Sequence, residues 1–348
     1  LAVEQVLPFG IKGTLEGLWS KTLNNVNYKN IAIKPSANNL TNAGGDTRTL
    51  YERVADFSNY TSVIYLTNTN EGYTYSLTGK LEKNFDFGLN TMLAYTYAQS
   101  KGINDGTSSQ AYSNWSYNEV YGGDAYPTLA YTDYDVRHRI VGSVSYRIEY
   151  AKHFATTVSL FYNGQSGSRY SLIYYGDING DGATSNDLLY IPTDAELASM
   201  MFSTQNKTTK KYELDADQAA SRKALGDWIN ANSDISEYKG KYIPRNGLLS
   251  EFEHHFDLHI AQDFYMNIDR RKHTLQLNLD VLNIGNLLNR AWGLYVQSSI
   301  YNFSPISYNT KINGAPTYSF TNPKDDKLYS ISDYYSRWRA QIGIKFFF

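Results

Sequence analysis

The amino-acid sequence predicts an all-β fold, a transmembrane antiparallel β-barrel with long loops, on three observations. Apolar and polar residues alternate along several segments with a period of two, which indicates strands with one apolar and one polar face. The connections between these segments are alternately short and long, as in barrels with tight turns at one rim and long loops at the other. Aromatic residues make up 15% of the chain, which contains 32 Tyr, and Tyr and Trp are enriched at both membrane interfaces of such barrels.

Composition limits the alternatives. The 348-residue chain has no apolar run of about 20 residues, which a membrane-spanning helix requires. A mean hydropathy of -0.48 is compatible with a barrel, because the polar lumen face cancels the apolar lipid face in any average. The net charge is -2 and the sequence contains no block of basic residues, so it lacks the charge pattern typical of nucleic-acid-binding proteins. The absence of Cys excludes a disulfide scaffold and thiol chemistry.

Alternation predicts nine strands, the first of them a strand end at 3–7. The apolar faces of the next four contain Ile11, Gly13, Leu15, Gly17 and Trp19; Tyr73, Tyr75, Leu77, Gly79 and Leu81; Phe87, Leu89, Thr91, Leu93, Tyr95 and Tyr97; and Ile140, Gly142, Val144, Tyr146 and Ile148. Those of the last four contain Phe154, Thr156, Val158, Leu160 and Tyr162; Phe256, Leu258 and Ile260; Leu275, Leu277, Leu279 and Val281; and Trp338, Ala340, Ile342, Ile344, Phe346 and Phe348.

None of these apolar positions carries Lys, Arg, Asp or Glu. A Lys or Arg at the middle of a membrane would cost about 2–4 kcal/mol, so this absence favours a lipid-facing surface. A soluble β-sandwich or propeller is the alternative fold, but its outer faces tolerate such charges.

Turn and loop positions organise the chain as a single β-barrel segment, 1–348. The short turns are predicted at 7–10, 83–86, 150–153 and 267–272, and the long extracellular loops at about 24–60, 100–134, 164–251 and 283–335. Single-chain bacterial barrels have an even number of strands, whereas nine are predicted here. The chain begins at Leu1 without a signal-peptide pattern. We therefore expect it to be the C-terminal portion of a larger barrel.

Four segments carry a family resemblance: GDINGDGATSNDLLYIP at 176–192, DVRHRIVGS at 135–143, LDVLNIGNLLN at 279–289 and WRAQIGIKFFF at 338–348. They resemble the C-terminal barrel of TonB-dependent outer-membrane transporters. The first segment is similar to the Oar-like group, whose chains begin with a carboxypeptidase-regulatory-like domain, while the other three recur across the wider transporter family. The similarity covers most of the chain from about Val136 onward.

This resemblance implies a 22-stranded barrel in the outer membrane of a Gram-negative bacterium. A plug domain is expected upstream of Leu1, with energy supplied by TonB, ExbB and ExbD through that N-terminal part. The implied partners also include the outer-membrane lipids and a surface lipoprotein, and no nucleic acid. The implied function is uptake or docking of a bulky nutrient, a peptide or a glycan, without bond chemistry, so no enzyme activity is expected.

Two other functions remain open at this point. The first is a structural or export-associated outer-membrane scaffold, which would lack the plug and the TonB box. The second is a secreted β-rich glycan-binding protein, which would dissolve without detergent. No nucleophile with a base, and no phosphate loop, stands out in the sequence.

One stretch of the third loop resembles a calcium-binding loop. Asp177, Asn179 and Asp181 alternate before Gly182, so that oxygen ligands can wrap a hard cation and Ala183 offers its carbonyl oxygen. Asp187 supplies a carboxylate at the eleventh position, one residue before the position at which a bidentate Glu is expected, and this predicts a variant geometry. The residues predicted to hold a structural Ca²⁺ are Asp177, Asn179, Asp181, Ala183 and Asp187. The alternative is a surface turn whose side chains cap their own backbone.

Other polar residues have simpler interpretations. His255, Asp257 and His259 share one strand face, where a transition metal is one interpretation and a hydrated lumen wall is the favoured one. Arg137, His138 and Arg139 lie where a loop enters a strand, and we expect them to anchor loops or the plug through ion pairs rather than to bind a ligand.

The third and fourth loops contain two further predicted features. Residues 215–230 are predicted to form a short helix, with Asp215 and Gln218 as a capping box and an apolar side at Leu225, Trp228 and Ile229. Aromatic residues of the last loop can stack on sugar or peptide, but a place in the aromatic girdle or packing within the loop is the favoured interpretation; they are Trp292, Tyr295, Tyr301, Tyr308 and Tyr318.

Overall fold

A computed structural model describes residues 1–121, 127–268, 271–298, 303–323 and 329–348. Nine strands, each hydrogen-bonded to the next in chain order, form an antiparallel meander. They are β1 Ala2–Leu7, β2 Ile11–Lys21, β3 Gly72–Asn84, β4 Leu89–Gly102, β5 His138–Tyr150, β6 Phe154–Gln165, β7 Glu253–Ile268, β8 Arg271–Leu282 and β9 Arg339–Phe347. The nine predicted strands are thus confirmed. The sheet is open, with β1 and β9 at its edges.

The register of the sheet keeps the apolar positions together. Val144 of β5 is opposite Leu160 of β6, which is opposite Leu258 of β7. The same row continues through Val281 of β8 and Ala340 of β9. Because a slip of one residue would transfer every side chain to the other face, this row confirms the predicted apolar face. Its large side chains are exposed, among them Leu15, Trp19, Leu77, Leu93, Val144, Leu160, Leu277, Ile342, Ile344 and Phe346.

The opposite face of the sheet is polar and hydrogen-bonded across strands. Arg147 Nη1 lies 2.7 Å from Asp263 Oδ2, and Gln276 Nε2 donates to Asp263 Oδ1 over 2.7 Å. The hydroxyls of Ser145 and Ser159 are 2.7 Å apart. An apolar face opposite a hydrated, paired face is the arrangement of a barrel wall with a polar lumen.

Short turns join the strands at one rim of the sheet, as predicted. They include residues 8–10, 85–88 and 151–153, while residues 269–270 of the turn between β7 and β8 lie outside the described residues. One detail differs from expectation, because the strands extend further than predicted and bring Lys21, Lys83, Lys101 and Arg271 onto the apolar parity at strand ends. The Lys83 ammonium lies 4.4 Å from the centroid of the Phe85 ring. A long basic side chain at a strand end can extend its charge to the membrane surface. The predicted absence of charged residues therefore holds for the middle of the apolar face.

Long loops at the other rim contain the remaining elements. Paired strands are Asn25–Asn30 with Ile64–Thr69, Ile33–Asn39 with Thr49–Arg53, Arg169–Tyr170 with Leu248–Leu249, Tyr190–Ile191 with Lys241–Tyr242, and Val296–Ser298 with Tyr329–Ile331. A five-stranded mixed sheet contains Leu172–Tyr175, Met201–Gln205, Tyr212–Leu214, Phe303–Ile312 and Ala315–Phe320. Ala130–Tyr131 pairs with β4.

Helices are short and confined to the loops. They are α1 Ala111–Ser116, α2 Asp194–Leu197, α3 Gln218–Ala231, α4 Ser233–Ser236, α5 Ile284–Leu288 and α6 Asp333–Ser336, with 3-10 turns at Pro8–Gly10 and Ala55–Phe57. Across the part of the chain that the structure describes, no helix has both the length and the apolar character needed to cross a bilayer.

The predicted helix of the third loop is present, but the residue predicted as its N-cap, Asp215, is wrong. Helix α3 starts after Asp217, whose side chain accepts a hydrogen bond from the Ala220 amide. Asp215 lies outside the helix, where it accepts from the Ser221 hydroxyl over 2.8 Å. Asp217 displaces it because only the residue next to the first turn can reach the free N–H groups. The predicted apolar side is confirmed, since Leu225, Trp228 and Ile229 are all buried.

Candidate functional site

The long loops fold together into one layer, which we name the loop cap: residues 22–71, 103–137, 166–252 and 283–338, as far as they are described. Its main hydrophobic core draws on the first, third and fourth loops: Leu40, Ala43, Tyr170, Leu172, Tyr174, Ile178, Leu189, Ile191, Leu197, Met200, Phe202, Leu225, Trp228, Ile229, Ile235, Ile243, Leu248, Ile306 and Tyr318. All of these residues lie outside the nine long strands. The loop cap is therefore a folded surface in its own right.

A buried arginine ties the first loop to the third. Arg48 Nη2 lies 2.7 Å from Asp46 Oδ2, and its Nη1 lies 2.8 Å from Asp187 Oδ1. Its side chain is completely buried, with the rings of Tyr174 and Tyr242 at 5.0 and 5.4 Å from Cζ. Burial opposes the charge of Arg48, but the two carboxylates outweigh it and raise the pKa of the guanidinium. We name Asp46, Arg48 and Asp187 the arginine clamp.

The predicted calcium loop folds around its own polar side chains. Asp177 accepts hydrogen bonds from the amides of Gly180, Asp181 and Gly182. Asn179 Oδ1 accepts from the Asp181 amide over 2.9 Å. Burial first, and then the negative charge of Asp181, raise the pKa of Asp177 to about 6. Three of the predicted ligand side chains are therefore brought together.

Asp181 lies at the centre of this loop. Its Oδ1 accepts from the Ala183 amide over 2.7 Å, and its Oδ2 accepts from the side-chain amides of Asn179 and Asn186 at 3.2 and 2.8 Å. Burial raises the pKa of Asp181. Asp187 is directed elsewhere, because its Oδ1 belongs to the arginine clamp and its Oδ2 accepts from the Ile178 amide over 3.2 Å.

The absence of a metal-binding cluster of carboxylate, imidazole or thiol side chains extends over the described residues, the predicted calcium loop included. Within the described ranges, no group of three His, Cys, Asp or Glu side chains is arranged to hold a metal ion. Calcium also accepts amide and carbonyl oxygens as ligands, so calcium binding by the loop stays a prediction.

The histidine-rich strand face has separate partners for each residue. His259 Nδ1 lies 2.6 Å from Asp280 Oδ1 on β8. Asp257 accepts from the Asn283 amide over 2.7 Å, and His255 Nε2 lies 3.6 Å from Glu253. These contacts agree with the interpretation of this face as a polar wall.

A second charged junction joins the loop cap to the sheet at Asp135. Its Oδ1 accepts from the Ser100 amide of β4 over 2.6 Å, and its Oδ2 lies 2.5 Å from Arg169 Nε in the third loop. Arg137 reaches the same carboxylate at 3.5 Å, which confirms its role as a loop anchor.

His138 instead contacts Tyr95 Oη on the neighbouring strand at 2.7 Å. Arg139 also bonds within the sheet, through Asn163 Oδ1 at 3.0 Å, so neither of these two forms the expected ion pair.

A buried acid in the second loop is only weakly paired. Asp105 Oδ2 is 4.0 Å from Arg245 Nη1, while its Oδ1 is buried without a hydrogen-bond partner in the described structure. Burial is the main cause that raises the pKa of Asp105 to about 6; Arg245 opposes it, and the nearby charge of Asp133 adds to it.

The aromatic residues of the last loop separate into two groups. Tyr318 is completely buried and Tyr308 packs against the same core, so packing is the correct interpretation for both. Trp292 is 56% exposed, and the Tyr295 ring lies 5.4 Å from that of Tyr335. Tyr301 lies outside the described residues.

Sequence reasoning missed the arginine clamp, the Asp135 junction and Asn186 of the calcium loop. The clamp joins residues 139 positions apart, and no local pattern marks such a contact. Asn186 follows the Asp-x-Asn-x-Asp-Gly motif by only a few residues, and its side chain could have been considered a ligand on spacing alone.

A family model described as "Outer membrane beta barrel domain" matches residues 1–307. No curated protein and no solved structure matches the chain.

Proposed function

Because the chain belongs to the family of outer membrane beta barrel domains, we propose that it is the barrel part of a TonB-dependent transporter or receptor of the Oar-like group. It takes up or docks a bulky nutrient, a peptide or a glycan, without bond chemistry. The protein is located in the outer membrane of Gram-negative bacteria. The soluble alternatives, a sandwich or propeller and a secreted glycan-binding protein, are therefore wrong.

The loop cap is the observation that supports this proposal most directly. Barrels of this class bind their ligands with their long extracellular loops. Here these loops are folded around a core that includes Leu172, Phe202 and Tyr318, each at most 1% exposed. A pre-formed surface loses little conformational freedom on binding, which suits the capture of a large, scarce ligand at the cell surface.

The polar face of the sheet fits the same proposal. Arg147, Asp263 and Gln276 are joined side chain to side chain, so this part of the wall is polar and its two charges are paired. A passage lined in this way is compatible with a polar ligand such as a peptide or a glycan. The energy would come from TonB, ExbB and ExbD acting on a plug domain.

Binding to TonB is the property that tests the proposal. The native protein, extracted from outer membranes in detergent, is passed over the immobilised periplasmic domain of TonB, and its intact mass and peptides are determined. We expect specific retention, a mass above 39.5 kDa and peptides of a plug upstream of Leu1. A native protein of 39.5 kDa that TonB does not retain would refute energised transport.

Exposed aromatic residues beside the last strand favour a second candidate, a scaffold for other surface proteins. Tyr334, Tyr335 and Trp292 are 66%, 59% and 56% exposed, and exposed aromatic residues are enriched where proteins bind one another. A surface lipoprotein is the partner expected of a transporter, whereas several different partners are expected of a scaffold. Mass spectrometry of the detergent-extracted complex distinguishes the two, because a scaffold would retain partners while failing to bind TonB.

A further inference from the structure

We propose that the loop cap contains a calcium site with a ligand set different from the one that the motif predicts. The ligands are the side chains of Asp177, Asn179, Asp181 and Asn186, with the Ala183 carbonyl oxygen. Asp187 is not a ligand. The site is independent of what the barrel binds or transports.

The observation that carries this proposal is the side chain of Asn186. The residue is completely buried, its Nδ2 donates to Asp181 Oδ2 over 2.8 Å, and its Oδ1 has no hydrogen-bond partner in the described structure. A buried amide oxygen without a partner costs about 1–3 kcal/mol. Because both atoms belong to one planar amide, a rotation of this amide would bring the oxygen to the position beside the Asp181 carboxylate.

A bound cation would reverse the orientation of the Asn186 amide. Asn179 and Asn186 both donate to Asp181 Oδ2. A half-turn of the Asn186 amide would exchange its nitrogen for its oxygen, and two oxygens at this distance attract each other only through a positive charge between them. The Asn186 oxygen then becomes a ligand of the cation beside Asp181.

Ligand chemistry selects calcium. The set consists of oxygen atoms only, with two carboxylates, from Asp177 and Asp181, whose charges match a divalent cation. Amide and carbonyl oxygens complete a flexible shell of the kind that Ca²⁺ accepts, whereas Mg²⁺ keeps most of its water.

Asp187 is excluded by its own contacts. Arg48 Nη1 occupies its Oδ1 at 2.8 Å, and the Ile178 amide occupies its Oδ2 at 3.2 Å. A cation would have to displace a completely buried guanidinium to reach this carboxylate. The arginine clamp and the calcium site are therefore neighbours that share a loop but no ligand.

The site would stabilise the junction of three loops. The Tyr51 amide of the first loop donates to the Asn179 carbonyl over 2.7 Å. Trp115 of the second loop packs in one cluster with Ala183 and Tyr51. Occupancy of the site therefore fixes the first and second loops against the third.

Calcium titration of the full chain tests the proposal. The chain is folded in detergent, stripped with a chelator and titrated with CaCl₂ in a calorimeter. Tb³⁺ luminescence excited through Trp115 provides a second readout. We expect one Ca²⁺ per chain and slower proteolysis of the first loop after binding. The absence of calcium heat and of sensitised Tb³⁺ emission in the wild-type chain would overturn the proposal.

Three variants test the ligand set. Asp181→Asn and Asn186→Ala should each weaken calcium binding at least tenfold, whereas Asp187→Asn should keep one bound Ca²⁺ with affinity within about threefold. Asp227→Asn, on the exposed face of α3, is the matched control and should not change binding. Loss of binding in Asp187→Asn, together with normal binding in Asn186→Ala, would show that the motif's ligand set is correct and ours is wrong.

Discussion

At the scale of single residues, the loop cap depends on buried charges that differ in how well they are paired. Arg48 has both of its carboxylate partners within 2.8 Å, whereas Asp105 is 4.0 Å from its partner Arg245. A buried charge with complete pairing holds segments together, and removing one partner leaves the other uncompensated. A buried acid with incomplete pairing makes stability depend on pH.

The arginine clamp predicts a large effect of Arg48→Met. Methionine leaves Asp46 and Asp187 buried without their counter-charge, which should destabilise the loop cap by about 3–5 kcal/mol. Hydrogen exchange in Thr49–Arg53 and in 187–191 should accelerate together. Arg290→Met, at an exposed position of the fourth loop, should leave both rates unchanged. Equal exchange in the two variants would contradict the role of the clamp.

The raised pKa of Asp105 should make the loop cap less stable as the pH rises. Its folded-state pKa of about 6 lies above the ordinary value of about 3.9, so the folded state binds the proton more tightly. The contribution is fully present below about pH 4 and is lost towards pH 6, by roughly 3 kcal/mol in total. Exchange rates of amides in 102–105, corrected for intrinsic rates, should rise across this interval.

Substitution of Asp105 separates this acid from the others. Asp105→Asn should remove the rise in exchange between pH 4 and 6, because the amide does not titrate. Asp56→Asn, at an exposed site of the first loop, should preserve the rise. Persistence of the full pH dependence in Asp105→Asn would assign it to another group.

At the scale of elements, each long strand has one face for lipid and one for the lumen. Val144 and Ser145 are adjacent in β5, yet Val144 is paired with Leu160 and Ser145 hydrogen-bonds to Ser159. The two neighbours therefore face different media. The same physical rule made the strands predictable, since alternation is encoded within each segment and needs no distant contact.

A matched pair of lysine substitutions tests the two faces. Val144→Lys places a charge near the middle of the apolar face and should destabilise folding into lipid vesicles by about 2–4 kcal/mol. Ser145→Lys should cost far less, because its charge reaches the hydrated lumen. The measurement is the urea dependence of folding in vesicles. A larger cost for Ser145→Lys would show that the faces have been assigned the wrong way round.

Helix α3 offers a test of its corrected N-cap. Asp217→Ala removes the acceptor of the Ala220 amide and should destabilise the start of the helix by about 1 kcal/mol. Exchange of the amides at 219–222 reports this change. Asp227→Ala, further along the same helix, should affect these amides little; an effect equal to that of Asp217→Ala would refute the cap.

At the scale of the whole molecule, the sheet could be predicted from sequence and most of the loop cap could not. The nine strands and the alternation of short and long connections depend on local patterns. The loop cap depends on contacts between distant residues, such as Tyr242 with Asp46, which are 196 positions apart, and Ser203 with Thr317. The Asp-Asn-Gly turn at 177–182 was predictable because its polar and turn residues are close in sequence, whereas the contact of Asp187 with Arg48 was not.

The central claim is that a sheet spanning the outer membrane carries the loop cap on the cell surface and the short turns in the periplasm. The chain contains no Cys, so single cysteines report position without background. Lys207→Cys in the third loop and Asp86→Cys in the turn between β3 and β4, both exposed, are treated in cells with a maleimide that cannot cross the membrane. We predict that Lys207→Cys is labelled in intact cells and that Asp86→Cys is labelled only after permeabilisation. Labelling of Asp86→Cys in intact cells, with protection of Lys207→Cys, would contradict the account.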